Sequence, residues 1–396
     1  MPRIDAFLKL GREQGCSDIH FTVGLPPLVR LDGELTPLKY RDLSSDEISS
    51  IVREVLDPSR LAHLDETGSV DFSYSAESAG RFRVNACKQH RGLSAICRVI
   101  PEKVPTLAEL GLPPVISRFT GLNSGMVLVT GAAGTGKSTT LAAMLDEINR
   151  NQNLNIITLE DPIEFVHQSQ KSLVIQREIG SHLHEFSDGL RSALRQDPDV
   201  ILVGELRDYE SISLAIEACE TGHLVLGTLH TRGAYATIHR LVDAFPTEAQ
   251  AQIRHTLAEN LKCVLSQELV RAADGRGRRV VMEILIVTSA VAQLIRDGKT
   301  FQIPSAIATG RRLGMQLMDQ SLIALVRSGD IDPDEAYLKA VDKREFAPFV
   351  TKPELLTWNT GAGASPGTAG TGGQGGTAAG PNGQSAVANG PIAEAA

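Results

Sequence analysis

The sequence predicts an α/β fold, in which a domain with a mostly parallel sheet follows a smaller α+β domain. Three observations predict it. From about residue 119 onward, apolar runs alternate with segments of helical spacing. Most of these runs are continuous rather than alternating, as expected of parallel strands buried on both faces. Residues 1–100 carry short strands, turns and a helix instead, so we expect a separate small domain there.

Composition limits the classes of function. The chain has 396 residues, enough for two domains and a further segment. Its formal net charge is −8 and its pI is about 5.7. Because proteins that hold nucleic acid usually carry a basic surface, this balance argues against a nucleic-acid partner. The five cysteines are scattered, which favours a reducing cytosol and no structural zinc. No apolar run approaches the length of a bilayer, so we expect no membrane insertion.

The small domain over 1–100 is followed by a predicted linker. The strand at 28–31 runs into a tight turn at Asp32-Gly33, and the segment 45–56 is a short helix with a serine cap. Four prolines then mark a linker at 101–118.

The segment 119–350 is predicted to be the larger domain. Residues 311–350 read as helical, with Gly329 and Pro333 separating two segments. The last stretch, 351–396, is rich in Gly and Ala and cannot bury enough surface to order itself, so we expect disorder. The predicted strands of the larger domain are 126–130, 155–159, 200–203, 224–229 and 280–286.

A glycine-rich loop between the first of these strands and a helix predicts a phosphate site. It fits the pattern Gly-x-x-x-x-Gly-Lys-Ser/Thr. Backbone N–H groups of such a loop surround a phosphate, and the helix N-terminus adds partial positive charge. Lys137 can reach the β- and γ-phosphates of ATP, and the Ser138 hydroxyl can ligate Mg²⁺. The predicted ATP-binding residues are Gly131, Ala132, Ala133, Gly134, Thr135, Gly136, Lys137, Ser138 and Thr139.

Acidic residues follow two other predicted strands. Glu160, Asp161 and Glu164 come after the strand at 155–159, and Glu205 comes after the strand at 200–203. In a parallel sheet these acids meet beside the phosphate loop. We expect the first three to hold Mg²⁺ through its waters, with Glu164 also a candidate catalytic residue, and Glu205 to orient the attacking water. The alternative is a set of solvated strand ends.

Histidines flank the strand at 224–229. His230 follows it and could contact the γ-phosphate. His223 precedes it, and contact with the site or a purely structural role are both open.

Two arginines are predicted to face each other in a hairpin. If strands 81–87 and 93–99 are joined by a turn at 89–92, Arg83 pairs with Arg98. Opposed like charges destabilise a hairpin, so an anion such as a nucleotide phosphate nearby, from the next domain or the next subunit, would account for them. The alternative is two solvated arginines, because one register slip undoes the pairing.

Four segments of the chain carry recognisable motifs: the phosphate loop at 131–138, an acidic segment at 157–167, a segment at 197–208 and a histidine-containing segment at 221–231. The third of them has Gly204 where most phosphate-loop proteins have aspartate. Together they resemble the phosphate loop, aspartate box, atypical Walker B box and histidine box of the type IV pilus retraction ATPases, the PilT/PilU branch of the type II/IV secretion ATPase superfamily. The likeness covers residues 1 to about 350.

The resemblance implies a PAS-like N-terminal domain and a RecA-like P-loop ATPase domain. It also implies a homohexameric ring with ATP between subunits, at the cytoplasmic base of a pilus machine on the inner membrane. An inner-membrane platform protein, and a paralogous pilus ATPase, would be its partners. Arg83 and Arg98 match arginines that reach the nucleotide, with Arg195 and Arg240 as weaker candidates for the same role.

One departure from the family pattern concerns the output of the motor. Retraction ATPases usually carry Ala-Ile-Arg-Asn-Leu-Ile-Arg-Glu near the C-terminus, and here Ala292 replaces the first arginine. An accessory motor of the PilU kind is therefore the nearest alternative. A RecA-like nucleic-acid motor is a further alternative, and the acidic pI argues against it. A non-hydrolysing nucleotide switch is another, and the intact Lys137, Ser138 and Glu205 argue against that.

Overall fold

Two β-sheets organise the protein. The computed structural model describes residues 2–31, 33–101, 103–275 and 277–357. The first sheet has six antiparallel strands in the order β3-β2-β1-β6-β5-β4. These strands are β1 (Asp18–Thr22), β2 (Leu28–Leu31), β3 (Glu34–Pro37), β4 (Ser69–Ala76), β5 (Gly80–Gln89) and β6 (Gly92–Val99).

The second sheet has seven strands in the order β13-β12-β7-β11-β10-β8-β9. All neighbours are parallel except β12 and β13, which are antiparallel. Its strands are β7 (Gly125–Thr130), β8 (Asn155–Glu160), β9 (Leu173–Glu178), β10 (Val200–Val203), β11 (Leu224–Leu229), β12 (Leu261–Arg271) and β13 (Arg278–Ile286). The α/β fold class is confirmed, with the parallel core flanked by helices.

Helices pack beside both sheets. Three accompany the first sheet: α1 (Ile4–Glu13), α2 (Ser45–Arg53) and α3 (Pro58–Thr67). Ser44 caps α2, and Glu47 completes the capping box, so the predicted serine cap is confirmed. The later helices are α4 (Ser117–Thr120), α5 (Lys137–Asn151), α6 (Phe186–Ala193), α7 (Tyr209–Glu220), α8 (Ala234–Asp243), α9 (Gln250–Asn260), α10 (Ser289–Arg296), α11 (Ile303–Thr309), α12 (Met318–Ser328), α13 (Pro333–Lys339), α14 (Lys343–Phe346) and α15 (Glu354–Thr357).

The core strands fall where apolar runs predicted them. β7 and β11 are buried at every position, and β10 is buried throughout, as the continuous runs implied. The predicted break between two C-terminal helices is also confirmed, because Gly329 ends α12 in the left-handed region and α13 begins at Pro333.

Several elements lie outside the predicted set. Strands β9 and β12 were not anticipated, and neither were helices α1 and α3. The strand predicted at 280–286 lies at the sheet edge as β13, paired antiparallel with β12. An antiparallel return strand has no need of a helical crossover, which is why the strand–helix alternation ends there.

The division of the chain at residues 100 and 118 stays a prediction. The first sheet ends at Val99 and the second begins at Gly125, and the described residues up to Lys352 form one compact unit. The predicted disordered segment opens with the short helix α15, and its residues 358–396 lie outside the described residues. Within the described ranges, no helix combines the length and apolar character needed to cross a bilayer.

Candidate nucleotide-binding site

The glycine-rich loop connects β7 to α5 at the carboxyl edge of the parallel strands. Its first residue, Gly131, has a φ of 143°. A Cβ at this position would lie 2.3 Å from the carbonyl oxygen of Gln267. Only glycine therefore allows the loop to pass this close to the backbone of β12.

Lys137 is held inside the mouth of the loop. Only 8% of its surface is exposed, and its Nζ donates to the carbonyl oxygens of Gly131 and Ala132 at 3.0 Å each. Burial lowers the pKa of Lys137, while the carboxylates of Glu205 and Glu164 act in the opposite direction. Since its hydrogen-bonding partners in the loop are neutral carbonyls, a phosphate would offer this ammonium a stronger, charge-assisted partner.

Gln267 of β12 supports the loop from behind. Its Nε2 donates to the carbonyl oxygen of Thr135 at 2.6 Å, and its Oε1 accepts from the Thr140 hydroxyl at 2.8 Å. The side chain is 1% exposed. One amide therefore fixes both the loop and the first turn of α5, a role that sequence reasoning missed because β12 was not predicted.

The ends of three parallel strands meet beside the loop. β8, β10 and β11 are neighbours in register, and the residues that follow them share one edge of the sheet. A cavity of about 420 Å³ opens there. Among its lining residues are most of the predicted side chains: Arg83, Arg98, Ala133, Gly134, Lys137, Ser138, Glu160, Asp161, Glu164, Glu205 and His230.

Several other predicted residues do not line this cavity. Arg240 donates to the carbonyl oxygen of Arg207 at 3.1 Å, and Arg195 is exposed elsewhere. His223 lies at the opposite end of β11, where its Nδ1 is 2.9 Å from the carbonyl oxygen of Ala218. The structure thus gives His223 a local structural contact. The remaining loop residues form the loop without lining the cavity; they are Gly131, Ala132, Thr135, Gly136 and Thr139.

Glu205 is ionised and flanked by two donors. Its Oε2 lies 2.7 Å from Nη2 of Arg207 and 3.2 Å from Nε2 of His230. Burial opposes the charge, but the hydrogen bond from Arg207 and the field of His230 outweigh it, so the pKa of Glu205 is lowered. Nδ1 of the same histidine is 3.4 Å from Nζ of Lys137. Three predicted residues therefore form one connected group.

Glu160 has a different environment. Its Oε1 accepts from the Thr158 hydroxyl at 2.6 Å and from Nε2 of Gln176 at 3.0 Å. Burial raises the pKa of Glu160 in spite of these bonds. Asp161 and Glu164 are exposed, so they are more available than Glu160 as acceptors for the waters of a metal ion.

Gly204 explains the absence of the usual aspartate. Its N–H donates to the carbonyl oxygen of Leu159 at 2.7 Å. A Cβ would lie 3.1 Å from that oxygen and 3.4 Å from Cα of Glu160. A side chain here would make a tight contact with the end of β8, and the acid of this segment sits one residue later, at Glu205.

The donor set fits a magnesium ion that is carried with a nucleotide. Among the described residues no group of three or more His, Cys, Asp or Glu side chains is arranged to hold a metal by itself. Mg²⁺ in nucleotide sites takes one or two protein ligands and completes its shell with phosphate and water. The exposed Ser138 hydroxyl, with Asp161 and Glu164 further out, suits that mode.

The predicted arginine pair is present. β5 and β6 place Arg83 directly opposite Arg98, and Lys88 opposite Leu93. Arg98 donates through Nε to Oδ1 of Asp18 at 2.8 Å, a partner that the sequence did not reveal. The Arg83 side chain has no hydrogen-bond or ion-pair partner in the described part of the chain. An unpaired guanidinium facing the same cavity as Lys137 is suited to bind an anion.

The loop, the strand order and the strand-end residues define a P-loop nucleotide-binding protein of RecA-like architecture. The family model described as "Type II/IV secretion system protein" matches residues 62–335. The pilus retraction ATPase PilT of Pseudomonas aeruginosa is 47% identical over 87% of this chain and 99% of its own length. The pilus ATPase PilU of the same bacterium is 38% identical over 85% of this chain and 88% of its own.

A solved structure agrees with these matches. The crystal structure of the pilus retraction motor PilT with bound ADP has a TM-score of 0.81 and 42% identity, and it covers 86% of this chain and 98% of that one. The chain belongs to the type II/IV secretion system protein family, within its PilT/PilU branch.

Proposed function

We propose that this protein is a Mg²⁺-dependent ATPase that acts as a homohexamer and powers retraction of type IV pili. One observation carries the proposal: a single cavity brings the loop residues Lys137 and Ser138 together with Glu205 and His230, and with Arg83 from the other sheet. Two relatives named as pilus retraction proteins, one solved with ADP, support the assignment.

The residues of the cavity suit the steps of phosphoryl transfer to water. Lys137 would neutralise charge on the β- and γ-phosphates, and Arg83 would approach from the opposite side. Glu205 would accept a hydrogen bond from the attacking water, while His230 would sense the γ-phosphate. A magnesium ion would be held by Ser138 and would supply charge neutralisation at the phosphate oxygens.

The proposed location is the cytoplasmic face of the inner membrane, at the base of the pilus. Attachment there would depend on an inner-membrane platform protein, and a paralogous pilus ATPase would be a second partner. This part of the proposal follows from the family resemblance.

A first experiment measures ATP hydrolysis by the purified chain with and without Mg²⁺, together with its native mass. We expect Mg²⁺-dependent turnover by a particle of six chains, and no turnover by Lys137→Ala. ATP hydrolysis by a wild-type chain that stays monomeric would contradict the ring. A wild-type chain without turnover would contradict the ATPase function.

The accessory role of the PilU kind is the second candidate, and Ala292 favours it. This residue lies in α10, is 7% exposed and packs in the main core of the second sheet. An alanine here carries no guanidinium, and its side chain is not presented at the surface. Deleting the gene while imaging labelled pili separates the two: pili that extend and never shorten indicate the principal motor, whereas pili that still shorten indicate the accessory one.

A further inference from the structure

A single buried carboxylate joins the two sheets beside the candidate site. Glu178 is the last residue of β9, which is the edge strand of the seven-stranded sheet. Only 2% of its surface is exposed. A carboxylate this deeply buried is tolerated only when donors surround it.

Four donors from three parts of the chain surround this carboxylate. From the six-stranded sheet, the hydroxyl of Ser73 and Nη2 of Arg81 donate to Oε2 at 2.8 and 2.7 Å. From the aspartate box, the backbone N–H of Ile163 donates to the same oxygen at 3.2 Å. The hydroxyl of Ser181 donates to Oε1 at 3.1 Å. Glu178, a residue of the seven-stranded sheet, therefore accepts hydrogen bonds from the six-stranded sheet and from the aspartate box at the same time.

The bond to Ile163 connects this group to the nucleotide cavity. The neighbours of that residue, Asp161, Pro162 and Glu164, line the cavity, whereas Glu178 does not. On the other side, Arg81 is two residues from Arg83 on the same strand, so the two side chains share a face. A shift at Glu178 would change the separation between the acidic segment and Arg83.

We propose that Glu178 is a positioning residue that couples the six-stranded sheet to residues 161–164. This proposal rests on the proposed ATPase function, because its consequence is a change in the rate of ATP turnover. With Glu178 intact, movement of the six-stranded sheet is transmitted to the acidic side of the cavity. Rigid-body movements of domains act on the salt bridges at their interfaces, and the Arg81–Glu178 pair is a salt bridge of this kind.

The first test is Glu178→Gln, assayed for ATP hydrolysis and for hydrogen exchange. Glutamine keeps the size and an acceptor oxygen but removes the charge that pairs with Arg81. We expect kcat to fall about tenfold and KM for ATP to change less than about threefold, since misplaced groups slow the reaction more than they weaken binding. The backbone amides of residue 161 and of residues 163–166 should exchange faster. Ser73→Ala, which removes one neutral donor, should give a smaller fall in the same direction.

Coupling is separated from plain destabilisation by two comparisons. The Arg81→Gln, Glu178→Gln double variant should be no slower than Glu178→Gln alone, because both changes break one contact. Asp334→Asn removes the charge of another buried carboxylate, which accepts a hydrogen bond from the Thr351 hydroxyl and lies away from the cavity. This change should lower the melting temperature but keep kcat within about twofold of the wild-type value.

Wild-type kcat together with wild-type exchange at residues 161 and 163–166 in Glu178→Gln would overturn the proposal, as would additive effects in the double variant. If the wild-type chain hydrolyses no ATP, the proposed function fails. The exchange measurement then decides on Glu178 by itself.

Discussion

Among single residues, Glu205 has the environment best matched to its proposed task. Both of its neighbours, Arg207 and His230, approach Oε2. Oε1 receives no hydrogen bond from the residues that the structure describes. One carboxylate oxygen is thus anchored, and the other is available to a water molecule.

Glu205→Gln should bind ATP but hydrolyse it about 10²- to 10⁴-fold more slowly, because the amide cannot act as an acceptor for the water proton as the carboxylate does. Single-turnover hydrolysis and nucleotide binding check this. Glu210→Gln, a few residues along on the surface, is the matched control and should keep wild-type turnover. Wild-type turnover in Glu205→Gln would remove the role assigned to it.

His167 gives the protein a sensitivity to acid. It lines the cavity, and its Nδ1 is buried without a hydrogen-bond partner among the described residues. Burial lowers its pKa to about 4, with Asp146 opposing. Between the unfolded pKa of about 6.5 and this value, the unfolded chain binds a proton that the folded chain excludes. Stability is therefore lost as pH falls.

From pH 6.5 to 5 this linkage amounts to about 1.5 kcal/mol in the free energy of unfolding. We expect His167→Gln to flatten the pH dependence by about that amount over this range. Denaturant unfolding at several pH values, without nucleotide, measures it. Equal slopes in the two proteins would show that His167 does not titrate as described.

At the scale of elements, local pattern predicted the strands that matter most. β7, β10 and β11 are short apolar runs bounded by turn residues, and each lies where expected. The β5–β6 pairing was predictable too, since the turn length fixes the register of a hairpin. β12 mixes polar and apolar positions over Leu261–Arg271, so its pattern did not mark it as a buried strand.

The unpredicted strand β12 carries the support of the phosphate loop. We expect Gln267→Ala to raise KM for ATP about five- to tenfold and to destabilise the fold by about 1–3 kcal/mol, because two buried polar groups lose their partner. Nucleotide titration and thermal unfolding check both effects.

Gln316→Ala is the control for this change, since the Gln316 side chain also donates to a backbone carbonyl, but to that of Met282 and not to one in the phosphate loop. It should leave KM unchanged. An unchanged KM in Gln267→Ala would limit Gln267 to a structural role.

At the scale of the whole molecule, the cavity combines residues of both sheets from one chain. Arg83 and Arg98 come from the six-stranded sheet, and Lys137 and Glu205 from the seven-stranded sheet. The sequence left open whether the arginines serve their own subunit or the next. Because both arginines line the cavity of their own chain, we predict that they act on the nucleotide of their own subunit.

A mixing experiment tests this. Arg83→Ala should lower kcat at least about tenfold, as loss of a transition-state arginine does. Mixed with Glu205→Gln, it should regain no activity, because no site in the mixed ring holds both intact residues. Recovered turnover would show that Arg83 acts on a neighbouring subunit. An Arg91→Ala variant, altered in the turn of the same hairpin, should behave as wild type.

Patterns within the chain were enough to predict the phosphate loop, the acids and histidine at the strand ends, the facing arginines and the family. Each depends on residues close together in the chain, where spacing and periodicity set the geometry. The partners that these residues take depend instead on packing between distant segments. Asp18 beside Arg98, Gln267 behind the loop and Glu178 between the sheets each contact residues 80 or more positions away. Such contacts arise from how the sheets pack, and no local pattern records that packing.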